Sequence, residues 1–322
     1  DYKNRYLHWD QVKYKKVPDG LTAEQYWLGT KLARQATKKY LPLLCKNGRQ
    51  FSYSTPDIVS AMLHEIDRDG IGYVQMPVPV TTGPTRDMYL VRSLVEEAIN
   101  SSQLEGASTS RKVAKEMILR ERTPKNQSEW MILNNYRAMQ FISQNKNDEL
   151  TADMICELHR ITTFNTLEQA NDAGRMRCDT DIINVLSAAD NEILHSPPPA
   201  CELPERMKRL CEFANQKLPD EFLHPVIRAI LLHFMLAYDH PFVDGNGRTA
   251  RALFYWSMLN QGYWLLEFTT ISKIIKAAPV KYGNAFLYSE TDDNDVTYFI
   301  IHQLEVIKKA INELHEYLQK KA

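Results

Sequence analysis

Glycine is scarce in this sequence, at 12 of 322 residues, and few segments alternate apolar and polar side chains as strands do. A sheet protein needs glycine at its many turns and a period of two along its strands, so the shortage points to a mostly helical chain. No run is long and apolar enough to span a bilayer, and Asp1 to Arg5 lack the apolar stretch of a secretory signal. No membrane association is therefore expected. Net charge is lacking too: 39 lysines and arginines face 40 aspartates and glutamates, which leaves -1. No global field draws the chain to nucleic acid, and no direct nucleic-acid binding is expected. The five cysteines (Cys45, Cys156, Cys178, Cys201, Cys211) are scattered and form no C-x-x-C pair. They argue against a disulfide framework or a zinc site and fit a reducing cytoplasm. His195, His224, His233 and His240 show no familiar metal-ligand spacing.

What is present is helical periodicity. Thr22 and Gln25 resemble a capping box that opens a helix running to about Tyr40. A second helix follows Ser54-Thr55-Pro56 and ends near Gly70, and the prolines and glycines of residues 70–85 form the best linker. Val91, Leu94, Val95, Ala98 and Ile99 recur at helical spacing, and Gly106 supplies a stop. Further helices are expected at 110–122, 127–144, 151–164 and 203–217. Residues 178–195, with a β-branched, loosely alternating stretch from Cys178 to Val185, read as a short exposed hairpin. Val226 to Tyr238 is apolar on nearly every face, which places a helix in the middle of a domain, with His233 as a core residue. A helix from about Arg248 to Asn260 and a long C-terminal one carrying Leu304, Ile307, Ile311, Leu314 and Leu318 complete the pattern. Residues 1–85 read as an N-terminal helical region and linker, and 86–322 as the main domain.

The chemistry is concentrated in His240-Pro-Phe-Val-Asp-Gly-Asn-Gly-Arg-Thr-Ala-Arg251. A glycine-rich turn entering a helix aims unpaired amides and the positive helix end at an anion. Arg248 and Arg251 then share one helical face and can clamp the same ligand. The spacing is not that of a P-loop, since no Lys-Ser/Thr follows the glycines. A structural turn needs a glycine or two, but not also a histidine, a carboxylate and two guanidiniums.

This stretch resembles the signature of the Fic family, His-x-Phe-x-(Asp/Glu)-Gly-Asn-Gly-Arg-x-x-Arg, at every specified position. The wider resemblance covers roughly residues 90–300 and includes Gly174-x-x-Arg177 and the flap-like segment that follows. It implies an all-α, mostly helical fold with a short β-hairpin flap beside the active site. It also implies transfer of AMP from ATP to a Ser, Thr or Tyr hydroxyl of a target protein. Carried over, His240 is the base, Asp244 holds Mg²⁺, and Gly245, Asn246 and Gly247 form the anion hole. Arg248 steadies the pyrophosphate portion, Arg251 the γ-phosphate, and Phe242 anchors the loop. Tyr282, Asn260 and Tyr288 are the candidates for the adenine site, and the 178–195 hairpin is the docking edge for the target.

A second motif, Ser101-x-x-x-Glu105-Gly106, resembles the family's inhibitory signature, (Ser/Thr)-x-x-x-Glu-(Gly/Asn). Because it precedes the core, it suggests the class with an N-terminal inhibitory helix at about 86–106. Glu105 would pair with Arg251 and withhold it from ATP. The leading expectation is a self-inhibited adenylyltransferase. Glu105-dependent removal of AMP uses the same residues and stays open, as does a homodimer. A reading of another class is a regulatory module linked to a DNA-binding domain outside this chain.

Overall fold

Six helices of the computed structural model begin where a capping side chain takes up an orphan amide. The structure describes residues 5–70, 83–186, 192–218 and 222–320. In chain order the helices are α1 (Trp9–Val12), α2 (Ala23–Gln35), α3 (Asp57–Gly70), α4 (Gly83–Leu104), α5 (Arg111–Leu119), α6 (Gln127–Gln144) and α7 (Ala152–Thr163). They continue with α8 (Leu203–Ala214), α9 (Pro225–Asp239), α10 (Asn246–Asn260), α11 (Ile271–Ala277), α12 (Pro279–Thr291) and α13 (Thr297–Gln319). Thr22 and Gln25 form the expected capping box of α2. Ser110, Asn126 and Thr151 cap α5, α6 and α7, and Pro225 occupies the first turn of α9. The mostly helical reading holds: the only sheets among the described residues are two small antiparallel pairs. No helix among the described residues is long and apolar enough to cross a membrane.

The central helix α9 is buried on nearly every face, as its apolar run demanded. Helix α10 packs along it, and α6, α7 and α4 lie against α10. Phe234, Phe254 and Phe299, from α9, α10 and α13, meet in one hydrophobic cluster. At the end of α4 the Ala107 amide bonds to Ser102 O and the Gly106 amide to Gln103 O. With Gly106 at φ +92° this is a Schellman stop, and it places Glu105 on the last turn of the helix.

Three boundaries differ from the sequence reading. The first helix ends at Gln35 instead of Tyr40, because the chain turns into a hairpin, β1 (Lys39–Leu44) with β2 (Gln50–Tyr53), in the register Lys39↔Tyr53 and Leu44↔Gln50. Leu41 and Leu43 alternate into the core, Pro42 is tolerated because the strand is an edge, and Gly48 turns the chain at φ +74°. The flap is also shorter than 178–195. Its strands are β3 (Val185–Leu186) and β4 (Ile193–His195), while Cys178 to Asp181 close a turn. Of the 70–85 linker, residues 71–82 lie outside the described residues, and helix begins at Gly83.

The first seventy residues share the core with the rest of the chain. Phe51 is fully buried and packs edge-to-face on Phe234 (5.4 Å) and Tyr238 (5.1 Å) of α9. Arg34 stacks on Tyr6 at 3.6 Å and donates to Tyr298 Oη of α13 at 2.7 Å. Phe51→Ala should therefore lower the stability of the whole unit by about 3–5 kcal/mol, read as one shifted transition in urea. A separate, earlier melting phase with the main transition unmoved would show that the hairpin is an appendage.

Candidate active site

The reactive loop is held between the end of α9 and the start of α10 by two residues in the left-handed region. His240 caps α9 at φ 46°, ψ 57°, and Gly245 precedes α10 at φ +80°. A non-glycine residue there costs on the order of 1 kcal/mol and persists only when its surroundings hold it. Arg177 does so: its backbone amide donates to Pro241 O (2.8 Å), its Nε to His240 O (2.8 Å), and its Nη2 to Asp239 O (3.2 Å) and Pro198 O (2.5 Å). Gly245 has no alternative, since a Cβ would stand 2.5 Å from Thr163 Cγ2 on α7.

The His240 ring faces Ala237 O through Nδ1 at 3.1 Å, which places its proton on Nδ1 and leaves the Nε2 lone pair for chemistry. Burial lowers its pKa to about 4, so it is a neutral base throughout the physiological range. His240 lines two adjoining cavities. One, of about 390 Å³, is polar and is bounded by Asp244 to Gly247, Glu105 and flap residues Ile182 to Asn184. The other, of about 230 Å³, is mostly apolar and is bounded by Tyr282, Phe286, Leu194, Val185, Gly247 and Arg251.

Helix α10 starts two residues earlier than the sequence suggested, so Asn246 and Gly247 belong to its first turn. The first intrahelical bond there is Thr249 N–H to Gly245 O, and the amides of 246–248 precede it. Asn246 is buried and spends its side chain on the loop: Oδ1 accepts from the Phe242 amide and Nδ2 donates to Phe242 O. Asp244 is open to solvent, 3.7 Å from Arg248 Nη2. Arg248 is buried, donates to Thr162 O at 3.1 Å, and keeps an unpartnered Nε. A buried guanidinium with a spare donor beside a helix N-terminus fits an anionic oxygen.

Arg251 is equally buried and is held by α4. Its Nε donates to Ser101 Oγ (2.9 Å), and its Nη2 to Ser101 O (3.0 Å) and Glu105 Oε1 (2.8 Å). Burial works against the guanidinium's charge, but the Glu105 carboxylate outweighs it and the pKa is raised. A Cβ at Gly247 would lie 2.3 Å from Glu105 Oε1, so this carboxylate sits directly on the first turn of α10. The Glu105–Arg251 pair that the resemblance implied is formed, and Ser101 joins it through both its hydroxyl and its carbonyl.

The other sequence candidates divide. Phe242 is fully buried and anchors the loop by stacking on His159 at 3.7 Å. Tyr282 lines the apolar cavity. Asn260 does not reach the site: it lies at the far end of α10, about 20 Å along the axis, and donates to Lys146 O. Tyr288 is also elsewhere, stacked on His8 at 4.3 Å. Conversely, the sequence carried no mark for His159, whose Nδ1 accepts from the Gly174 amide (2.9 Å) while Nε2 donates to Asp244 O (2.8 Å). The same is true of His195, which links β4 to Tyr238 O (2.7 Å) and Glu290 (2.8 Å). Arg177 was visible only as the end of a short pattern.

Residues 149–258, which hold this loop and α7, match the family model described as Fic/DOC family. The chain carries a Fic domain. It is 35% identical over 120 residues to the protein adenylyltransferase Fic of Nematostella vectensis, covering 37% of this chain and 25% of that protein. To the protein adenylyltransferase fic-1 of Caenorhabditis elegans it is 30% identical over 118 residues, 37% of this chain and 21% of the relative. It thus spans about a quarter of the length of these curated relatives. Its fold is that of a Fic family protein from Desulfovibrio desulfuricans (TM-score 0.63, 19% identity, 80% of this chain and 73% of that one). A Fic domain containing signaling protein from Bacteroides thetaiotaomicron matches as well (TM-score 0.64, 19% identity, 80% and 97%).

The Fic loop depends on His159 staying neutral. Burial lowers its pKa to about 4, below the 6.5 of an unfolded chain, so folding releases a proton between those values. Stability from this group is full above pH 6.5 and is lost as pH falls toward 4. The stability advantage of the native protein over His159→Gln should therefore shrink from pH 7 to pH 4.5 in denaturant titrations. An advantage that is constant across that range would rule out a neutral, buried His159.

Proposed function

We propose that this chain is a self-inhibited protein adenylyltransferase that moves AMP from ATP to a hydroxyl of a target protein. One observation carries the reading: a neutral histidine with a free Nε2 and an amide-rich helix N-terminus line one polar cavity, and two buried arginines, Arg248 and Arg251, stand on the first turns of that helix. In the step, the target hydroxyl oxygen forms a bond to the α-phosphorus and the bond from that phosphorus to the bridging oxygen breaks. Pyrophosphate leaves and the hydroxyl proton passes to His240 Nε2. The amides of Asn246 and Gly247 meet the charge that builds on the α-phosphate, joined by that of Gly245 when it releases Asp244 Oδ1. Arg248 and Arg251 neutralise the rest of the triphosphate.

The solvent-open Asp244 is the carboxylate that would hold Mg²⁺, and the ion would offset the charge of the phosphates there. No cluster of three or more metal-ligating side chains exists among the described residues. Tyr282 and the apolar cavity suit the adenine ring. The flap strands offer free edges on which an extended target segment could pair. Five free thiols suit a reducing compartment such as the cytoplasm.

Inhibition follows from Glu105 on the last turn of α4, which occupies the Arg251 donor and sets a carboxylate on the anion-binding turn. Glu105→Gly protein incubated with labelled ATP and Mg²⁺ should label itself or lysate proteins at least about tenfold more than the native chain, since 1.4 kcal/mol of restraint is worth that much. Adding His240→Ala should cut this by about 10²–10⁴. Equal labelling by native and Glu105→Gly proteins would remove the inhibitory role, and labelling that survives His240→Ala would remove the base. A second reading, Glu105-dependent hydrolysis of AMP from a modified target, is favoured by the same carboxylate lining the cavity beside His240. Release of AMP by the native chain but not by Glu105→Gly would select it.

A further inference from the structure

His233 lies on α9 seven residues before His240 and is fully buried among Phe254, Phe299 and Tyr282. Its Nε2 stands 2.8 Å from Tyr282 Oη, and its Nδ1 has no partner. Burial drives its pKa down, so the ring is neutral and carries one N–H. An orphaned buried N–H is costlier and rarer than an unused acceptor, which puts the proton on Nε2 and makes Tyr282 Oη the acceptor. The Arg251 guanidinium, a donor only, faces the same oxygen. With donors arriving from two sides, the Tyr282 hydroxyl hydrogen turns to the direction left, the cavity it shares with His240 and Gly247. Burial raises the Tyr282 pKa to about 12, so that hydrogen stays in place.

The cavity wall decides what the hydrogen meets. Ala237, Leu194, Phe286 and Leu287 make an apolar slot that suits a flat ring with one acceptor atom, away from the Arg251 side of the cavity. We propose that His233 is a positioning residue for the nucleobase, turning the Tyr282 hydroxyl into a donor aimed at a ring nitrogen of the bound purine. This rests on the nucleotide-binding reading above. In the sequence His233 had only the look of a core residue. Its role comes from the pairing with Tyr282 49 residues later, together with the empty valence at Nδ1.

The test is equilibrium binding of ATP and of inorganic tripolyphosphate, by calorimetry, in the Glu105→Gly background. His233→Leu and Tyr282→Phe should each weaken ATP about fivefold, the worth of one neutral hydrogen bond. The double variant should be no weaker than Tyr282→Phe alone. His233→Gln, whose amide keeps a donor near the Nε2 position, should bind ATP like the parent. Tripolyphosphate should bind all of them alike. Several results would overturn the proposal: unchanged ATP affinity in His233→Leu, effects that add in the double variant, His233→Gln as weak as His233→Leu, or tripolyphosphate weakened as much as ATP. If the Glu105→Gly parent itself binds no ATP, the functional reading falls first and this inference with it.

Discussion

The fully buried guanidinium of Arg251 sets the terms for its surroundings. A charge taken out of water has to be matched by acceptors with good geometry, or it costs several kcal/mol. Here the acceptors come from one turn of α4: Ser101 Oγ, Ser101 O and Glu105 Oε1. Glu97, Ser101 and Glu105 recur every four residues and so share a face of that helix. Glu97 is itself buried and accepts from the Ser272 amide and hydroxyl at the start of α11. The face of α4 turned to the site is thus polar, buried at Glu97 and Ser101 and open to the cavity at Glu105. The Gly106 stop ends the helix at the residue whose carboxylate is needed. Under the proposed inhibition, regulation and packing would be one contact.

That contact sits in an interior rich in positive charge. Arg177, Arg248 and Arg251 are all buried within the shell around the loop, and Arg248 keeps a donor in reserve. In such surroundings imidazoles lose their protons: burial holds His159, His233 and His240 neutral, and Arg248 adds to the effect on His159 and Arg251 to that on His233. The result is a site in which every nearby imidazole can accept or direct a proton, while the field favours a polyanion. Glu105 is a single negative charge placed in that field.

The backbone contributes as much as the side chains. His240 and Gly245 bracket the loop in left-handed conformations, and the molecule spends Arg177, His159 and Asn246 on holding it. The His159 ring, stacked on Phe242, ties the loop to α7 and to the Gly174 turn with a single tautomer. A reactive base on so constrained a mount keeps its lone pair directed into the cavity without reorganisation, which is the property a proton acceptor needs.

Local rules made much of this legible. Apolar periodicity and capping residues located α2 through α10 to within a few residues, and the run from His240 to Arg251 stood out because helix start, glycines and arginines are neighbours in sequence. Even so, one local cue was outweighed. Asn47-Gly48 marks the turn of the β1–β2 hairpin, but Thr37 to Tyr40 were read as more of the preceding helix. Asn260, Tyr282 and Tyr288 were all adenine candidates, Tyr282 the foremost, since all three follow the loop in sequence. Only the packing of α12 and α10 separated them, sending Asn260 to Lys146 and Tyr288 to His8. The sequence by itself determined which residue types stand on the loop and at the end of α4. The Glu105–Arg251 pair across 146 residues was expected from the family resemblance, whereas tertiary structure alone decided that His159 reaches Asp244 across 85 residues and that His233 addresses Tyr282. Such pairings follow from how helices dock, and docking is chosen by the whole core, so no local pattern encodes them.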